Sequence, residues 1–113
     1  MTDRQPSFVR IWRGRVPRDR ADEYEAYWRA HSIEPLLKNG ALGVQSLRED
    51  REAESEFVTL SYWHSIEDMT AGAAGDPTET HHLDRDPEFL IEIPRRAQIL
   101  RLLRVDGFTG APT

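Results

Sequence analysis

The segment from Glu56 to Asp68, EFVTLSYWHSIED, constrains the fold of this chain more than any other stretch. Phe57, Thr59, Ser61 and Trp63 alternate there with Val58, Leu60 and Tyr62, the period of two that defines a β-strand. One face of that strand carries large rings beside small polar groups, and the other is wholly apolar, so both ask to be covered. Ser65 precedes Asp68 by three residues, a capping-box-like helix start, so strand gives way to helix within two residues of Trp63. A large ring at a strand mouth, beside a helix N-terminus, is suited to walling a ligand cavity. It is equally suited to closing the end of a core.

The remaining composition narrows the class. A chain of 113 residues supports a single domain, here 1–113 with a core over about 8–105, and the absence of cysteine excludes disulfides and thiolate metal sites. No apolar run is long enough to span a membrane and the polar N-terminus has no leader pattern, so a soluble cytoplasmic protein without a membrane partner is expected. Fifteen basic residues against twenty acidic ones, interleaved along the chain, disfavour a nucleic-acid partner, because phosphate binding depends on pooled positive charge.

The pattern along the chain reads β-α-β-β-α-β. A first strand is expected over Phe8 to Arg15, followed by a helix opened by Pro17 and capped by Asp19 that runs to about Leu37. Ala21, Tyr24, Tyr27, Trp28 and His31 recur at helical spacing and form its buried stripe, and Asn39-Gly40 ends it. A second strand over Gly43 to Glu49 and the charged tip Asp50 to Ser55 lead into the third strand, so the two are antiparallel. A short helix over Ile66 to Ala73 follows. Asp76-Pro77-Thr78-Glu79 carries the residues of a helix N-cap and predicts a further helical turn bearing His81 and His82. Asp86-Pro87 starts another turn, and the last strand is expected over Ala97 to Val105.

Four strands and two main helices in this order give an α+β, ferredoxin-like split β-α-β antiparallel sheet with helices on one face. Val9, Ile11, Val58, Leu60, Tyr62, Leu100 and Leu102 then fall on the opposite face and would leave an apolar surface on the order of several hundred Å² in water. A second copy covering it is the simplest remedy, so a homodimer is expected.

Three sets of residues carry a family resemblance: WRGRVP with ADEYEAYW (Trp12 to Pro17, Ala21 to Trp28), FVTLSYWHSIE (Phe57 to Glu67), and AGDP with DPEFL (Ala74 to Pro77, Asp86 to Leu90). In their order and spacing the chain, over about Phe8 to Arg104, resembles the antibiotic-biosynthesis-monooxygenase-like proteins of the dimeric α+β barrel superfamily. The resemblance implies a homodimer whose sheets pack into a barrel, with one cavity per subunit between sheet and helices. It also implies a cofactor-independent monooxygenase acting on a small aromatic or polyketide-like compound. In cofactor-free members a Trp ends the third strand, with an Asn four residues before it and a Tyr six residues after. Trp63 matches, while Thr59 stands at the Asn position and Met69 at the Tyr position. Of the positions used by heme-degrading relatives only His82 fits; Gly72 stands at the Trp position and the first strand lacks the Asn, so no heme and no other cofactor is expected.

Candidate site residues follow. His81 and His82 are the general-base candidates, because imidazole titrates near neutral pH, although adjacent helical positions point about 100° apart and only one of them can face a cavity. Trp63, Thr59, Trp12, Tyr27, Trp28, His31 and Met69 are the substrate-contact candidates, each with core packing as its ordinary alternative. Arg10, on the face of Trp12, either meets an anionic substrate or pairs with Glu25 or Glu92. His64, His81, His82 and Asp84 lack the i,i+4 spacing of helical metal ligands, and no metal site is expected. A non-catalytic ligand-binding or stress-related dimer would use the same cavity without a base.

Overall fold

A computed structural model describes residues 5–73, 76–80 and 82–107. Four strands, β1 (Phe8–Pro17), β2 (Gly43–Asp50), β3 (Glu54–Trp63) and β4 (Gln98–Arg101), form one sheet in the order β2-β3-β1-β4. All neighbours are antiparallel, and β1 runs against the whole of β3 from Phe8↔Trp63 to Pro17↔Glu54. This is the expected ferredoxin-like arrangement. Cross-strand partners point to the same face, so Arg10, Trp12, Gly14 and Val16 share one face with Ser61, Thr59, Phe57 and Ser55. That face lies under the helices. β4 is shorter than the apolar pattern suggested because its partner runs out: Phe8 opens β1 opposite Arg101, and one further bond, from Leu102 N–H to Ser7 O, closes the ladder.

The expected long helix is a composite. A 3₁₀ turn over Arg18–Arg20 leads into α1 (Ala21–Trp28), a π-helical segment over Arg29–Ile33 and α2 (Glu34–Lys38). Asp19 sits in the 3₁₀ turn and caps nothing with its side chain, since the chain is already turning at Pro17. The π segment has a covalent cause: Pro35 has no N–H to donate to the His31 carbonyl, and the ladder loosens so that Glu34 N–H reaches back to Arg29 O. Gly40, at φ 112°, ends the segment, and Ala41 N–H closes the turn on Leu36 O.

α3 (Ile66–Ala73) begins as expected, with Ser65 Oγ accepting the Asp68 N–H at 3.0 Å. The next turn departs from expectation. Asp76 Oδ1 accepts both Thr78 N–H, at 2.9 Å, and Thr78 Oγ1–H, at 2.8 Å, which makes an Asx turn rather than a helix cap. Glu79 then bridges to Arg96 in extended form, and His82 lies in irregular chain. His81 lies outside the described residues. α4 (Asp86–Phe89) is a single turn.

Two buried clusters hold the helices to the sheet. Val16, Ala21, Tyr24, Trp28, Ile33, Phe57, Phe89 and Leu90 form one, and Ala41, Trp63 and Met69, flanked by Phe8, Leu36, Val44, Ile66 and Ile99, form the other. Fully burying a side chain of this size contributes roughly 1.5–3 kcal/mol. Val44 packs against both clusters, and residues of each line the cavity.

Candidate functional site

The cavity measures about 280 Å³. β1 supplies Arg10 and Trp12, β3 supplies Thr59 and Trp63, the helical segment supplies Tyr24, Trp28, His31, Ser32, Pro35 and Leu36, and Asn39, Met69, Leu83 and Asp86 complete the wall. Six of the seven expected contact residues are therefore brought together: Trp12, Trp28, His31, Thr59, Trp63 and Met69. Tyr27 is not. Its hydroxyl accepts Arg85 N–H at 2.9 Å and its ring lies on Phe89 and His31, so it buttresses the site from behind.

The three tryptophans differ in their supports. Trp63 is 1% exposed, packs on Met69 and Ala41, and donates its indole N–H to Ser61 Oγ at 2.9 Å, so it offers the cavity only its ring. Trp12 folds back over Gly14; a Cβ at Gly14 would stand 2.4 Å from the Trp12 ring, so only glycine lets the indole lie there. Trp28 stacks on Tyr24 at 6.5 Å and meets Phe57 edge-on at 5.0 Å. Its Nε1 is buried without a hydrogen-bond partner among the described residues, and so is Oγ1 of Thr59.

The charged groups of the cavity include two that local sequence pattern did not single out correctly. Asp86, only 2% exposed, accepts Leu83 N–H through Oδ2 at 2.7 Å and the Tyr24 hydroxyl through Oδ1 at 3.1 Å. Burial raises its pKa above the ordinary 3.8, against the opposing pull of those two hydrogen bonds and of nearby His82. The same burial, with the Asp86 charge, pushes the Tyr24 phenol well above its usual range. Arg10 does not pair with Glu25 or Glu92, which meet Arg48 and Arg15. Its guanidinium instead donates to Pro77 O at 2.7 Å and Glu79 O at 3.0 Å, and burial lowers its pKa. The only sequence signal for Asp86 was the Asp-Pro turn start; nothing local shows that α4 folds it onto Tyr24.

Of the two histidines expected as base candidates, only His82 falls within the described residues. His82 is exposed, lies in irregular chain and is not among the lining residues. His31 is also exposed but stands at the cavity, its ring 4.7 Å from that of Tyr27. No group of three or more His, Asp or Glu side chains among the described residues is placed to hold a metal ion.

Fold and site together define a ferredoxin-like α+β protein with a small aromatic-walled cavity between sheet and helices. A crystal structure of a Bacillus cereus protein, provisionally named an antibiotic biosynthesis monooxygenase, matches it with a TM-score of 0.64. The match covers 91% of this chain and 99% of that one at 13% sequence identity, a likeness of fold. No family model and no curated protein matches the sequence. No helix among the described residues is long and apolar enough to cross a membrane.

Proposed function

We propose that this protein is a monooxygenase-like enzyme that binds a small aromatic or polyketide-like compound in the cavity, with Asp86 as the base. The observation that carries this reading is a carboxylate with no ion-pair partner among the described residues, buried in a cavity walled by Trp12, Trp28 and Trp63. Its two hydrogen bonds leave lone pairs free, because a carboxylate accepts up to about four. Burial moves its pKa toward that of an acidic C–H, where proton transfer is most efficient.

In the proposed reaction Asp86 takes a proton from a methylene flanked by an aryl ketone. The carbanion passes its electrons to dioxygen and forms a carbon–oxygen bond. Loss of water from the resulting hydroperoxide leaves a second ketone, so CH₂ and O₂ become C=O and H₂O, and the proton held by Asp86 returns to the departing oxygen. His82, which is exposed, lies near enough to Asp86 for its charge to be felt there.

The enzyme is proposed to act as a homodimer. Leu47 and Leu100, 47% and 45% exposed, flank half-exposed Ile11, Val58, Leu60 and Tyr62 on the uncovered sheet face, and a second copy would bury them.

The second reading, a binder without catalysis, is favoured by one fact: Asp86 already has a structural task in holding Leu83 and Tyr24. Dioxygen uptake with anthrone decides. Asp86→Asn should bind anthrone normally while uptake falls by ~10²–10⁴-fold. A wild-type protein that binds anthrone without consuming oxygen, measured at an electrode, leaves the binder. Because the Asp86 pKa is raised, uptake should climb with pH through that raised value. Stability has the opposite sign: the contribution of Asp86 is fully present below 3.8, where it is protonated folded and unfolded, and is lost as pH rises through the folded value.

A further inference from the structure

A guanidinium drawn below the surface calls for a counter-charge, because it cannot lose its proton in a protein and water no longer screens it fully. Arg10, Arg15, Arg20 and Arg48 are the half-buried arginines among the described residues. Arg15 meets Glu54, Arg20 meets Glu23 and Arg48 meets Glu25. Arg10 meets no carboxylate among the described residues, and of the four it is the one that lines the cavity. Its pKa is accordingly lowered by burial, with no neighbouring acid to raise it.

The partners Arg10 does have are backbone carbonyls. Nε donates to Pro77 O at 2.7 Å and Nη2 to Glu79 O at 3.0 Å, which satisfies donors but supplies no net negative charge. Those bonds use the side of the planar fork where Nε and Nη2 lie. The end of the fork, Nη1 with the second Nη2 hydrogen, is left over from the five N–H donors. Nη1 has no partner among the described residues and keeps accessible surface. Pinning the 77–79 segment does not require the charge either. That segment is tied down without Arg10 by Ala97 N–H on Thr78 O at 2.7 Å, by the Asx turn at Asp76 and by the bridge from Glu79 to Arg96.

The two charged groups of the cavity enter it at different levels. Arg10 stands opposite Ser61, whereas Asp86 is bonded to Tyr24, whose ring packs on Phe57, opposite Gly14. From Arg10 to Gly14 along β1 is roughly 13 Å at ~3.3 Å per residue. The Trp12 ring, folded over Gly14, lines the interval. An anion at Arg10 is thereby kept apart from the Asp86 carboxylate.

Resting on the reading of this cavity as a ligand site, we infer that its ligand is an aromatic carboxylate, gripped end-on by Nη1 and Nη2 of Arg10 with its ring system laid toward Trp12. The two oxygens of a planar carboxylate match the planar fork, a match that a lone ketone or phenol oxygen does not make.

Isothermal titration calorimetry of the full chain at pH 7 with 2-naphthoate, which is ionised there, and with its neutral isostere 2-naphthamide tests the assignment. Wild-type protein should bind the carboxylate at least ~10-fold more tightly than the amide, as expected for hydrogen bonds between charged groups. Arg10→Gln, which still offers a donor to the 77–79 carbonyls, should make the two compounds bind alike, with the amide within about twofold of its wild-type affinity. Should that variant not fold, Arg10→Lys decides: it keeps a charge without the fork, and the preference should fall by about threefold or more. A wild-type protein that binds both compounds equally, a preference that survives Arg10→Gln or is undiminished in Arg10→Lys, or loss of both compounds together in a folded Arg10→Gln overturns the assignment and leaves the cavity a ligand site. Failure of both compounds to bind wild-type protein overturns the reading of the cavity and this inference with it.

Discussion

The two faces of β3 divide burial unequally: the covered face mixes hydroxyls with rings, and the apolar face is left partly open. Ser55, Thr59 and Ser61 alternate with Phe57 and Trp63 on the helix face, and all five are buried. Val58, Leu60 and Tyr62, on the opposite face, are only half-buried. A single strand thus hides serine and threonine hydroxyls beside Phe57 and Trp63 and leaves Val58, Leu60 and Tyr62 partly open. Hydroxyls under a helix layer serve one of two ends: Ser61 fixes the Trp63 indole, whereas Thr59 faces a cavity without a partner. Hydrocarbons on the uncovered sheet face are what the proposed second copy would bury. The contrast teaches that one strand gives a cavity wall to the helix side and an uncovered apolar face to the other, the face proposed above to meet a second copy.

The largest break in that comparison should come from Trp63→Ala. Because Trp63 is both cavity wall and packed core, the truncation should lower stability by about 3–5 kcal/mol in denaturant titrations and weaken anthrone binding as well. Loss of binding with an unchanged melting temperature would mean that the ring contributes to the site alone. A smaller effect is expected on the opposite face. Leu60→Lys removes about 1.5–3 kcal/mol of burial per copy from the proposed interface. Sedimentation at micromolar concentration should show twice the 13.1 kDa chain mass for wild type and a shift toward the single chain for the variant. A wild-type species of one chain mass would refute the interface. The smallest effect concerns Thr59→Val, which should leave the ligand-free protein unchanged or raise its stability by about 1 kcal/mol, since an unpartnered buried hydroxyl is replaced by a methyl group. A clear drop in melting temperature would show that the hydroxyl has a structural partner and would dissolve the contrast with Ser61.

Much of the architecture was legible because it rests on short-range rules. The alternation in β3, the Ser65 cap and the Asn39-Gly40 stop each involve a few neighbouring residues, and each took its expected form. The errors arose where one local signal serves two structures. Asp76-Pro77-Thr78-Glu79 fits a helix cap and an Asx turn equally well, and the pairing of Glu79 with Arg96, far along the chain, chose the turn. With the helix went the helical placement expected for His82. Tyr27 shares the helical stripe of Tyr24 and Trp28, but its hydroxyl is held by Arg85 on a later segment, which turns it away from the cavity.

By itself the sequence determined the strand and helix order, the two unlike faces of β3 and the aromatic character of the site, because periodicity and capping are properties of adjacent residues. Only the tertiary structure decided which polar group stands among those rings. Asp86 is 62 residues from Tyr24 in the chain, and the two meet because α4 folds back under α1. Desolvation, the cause of the raised Asp86 pKa and of the cost of leaving Thr59 Oγ1 unpaired, exists only once those distant segments have closed over them.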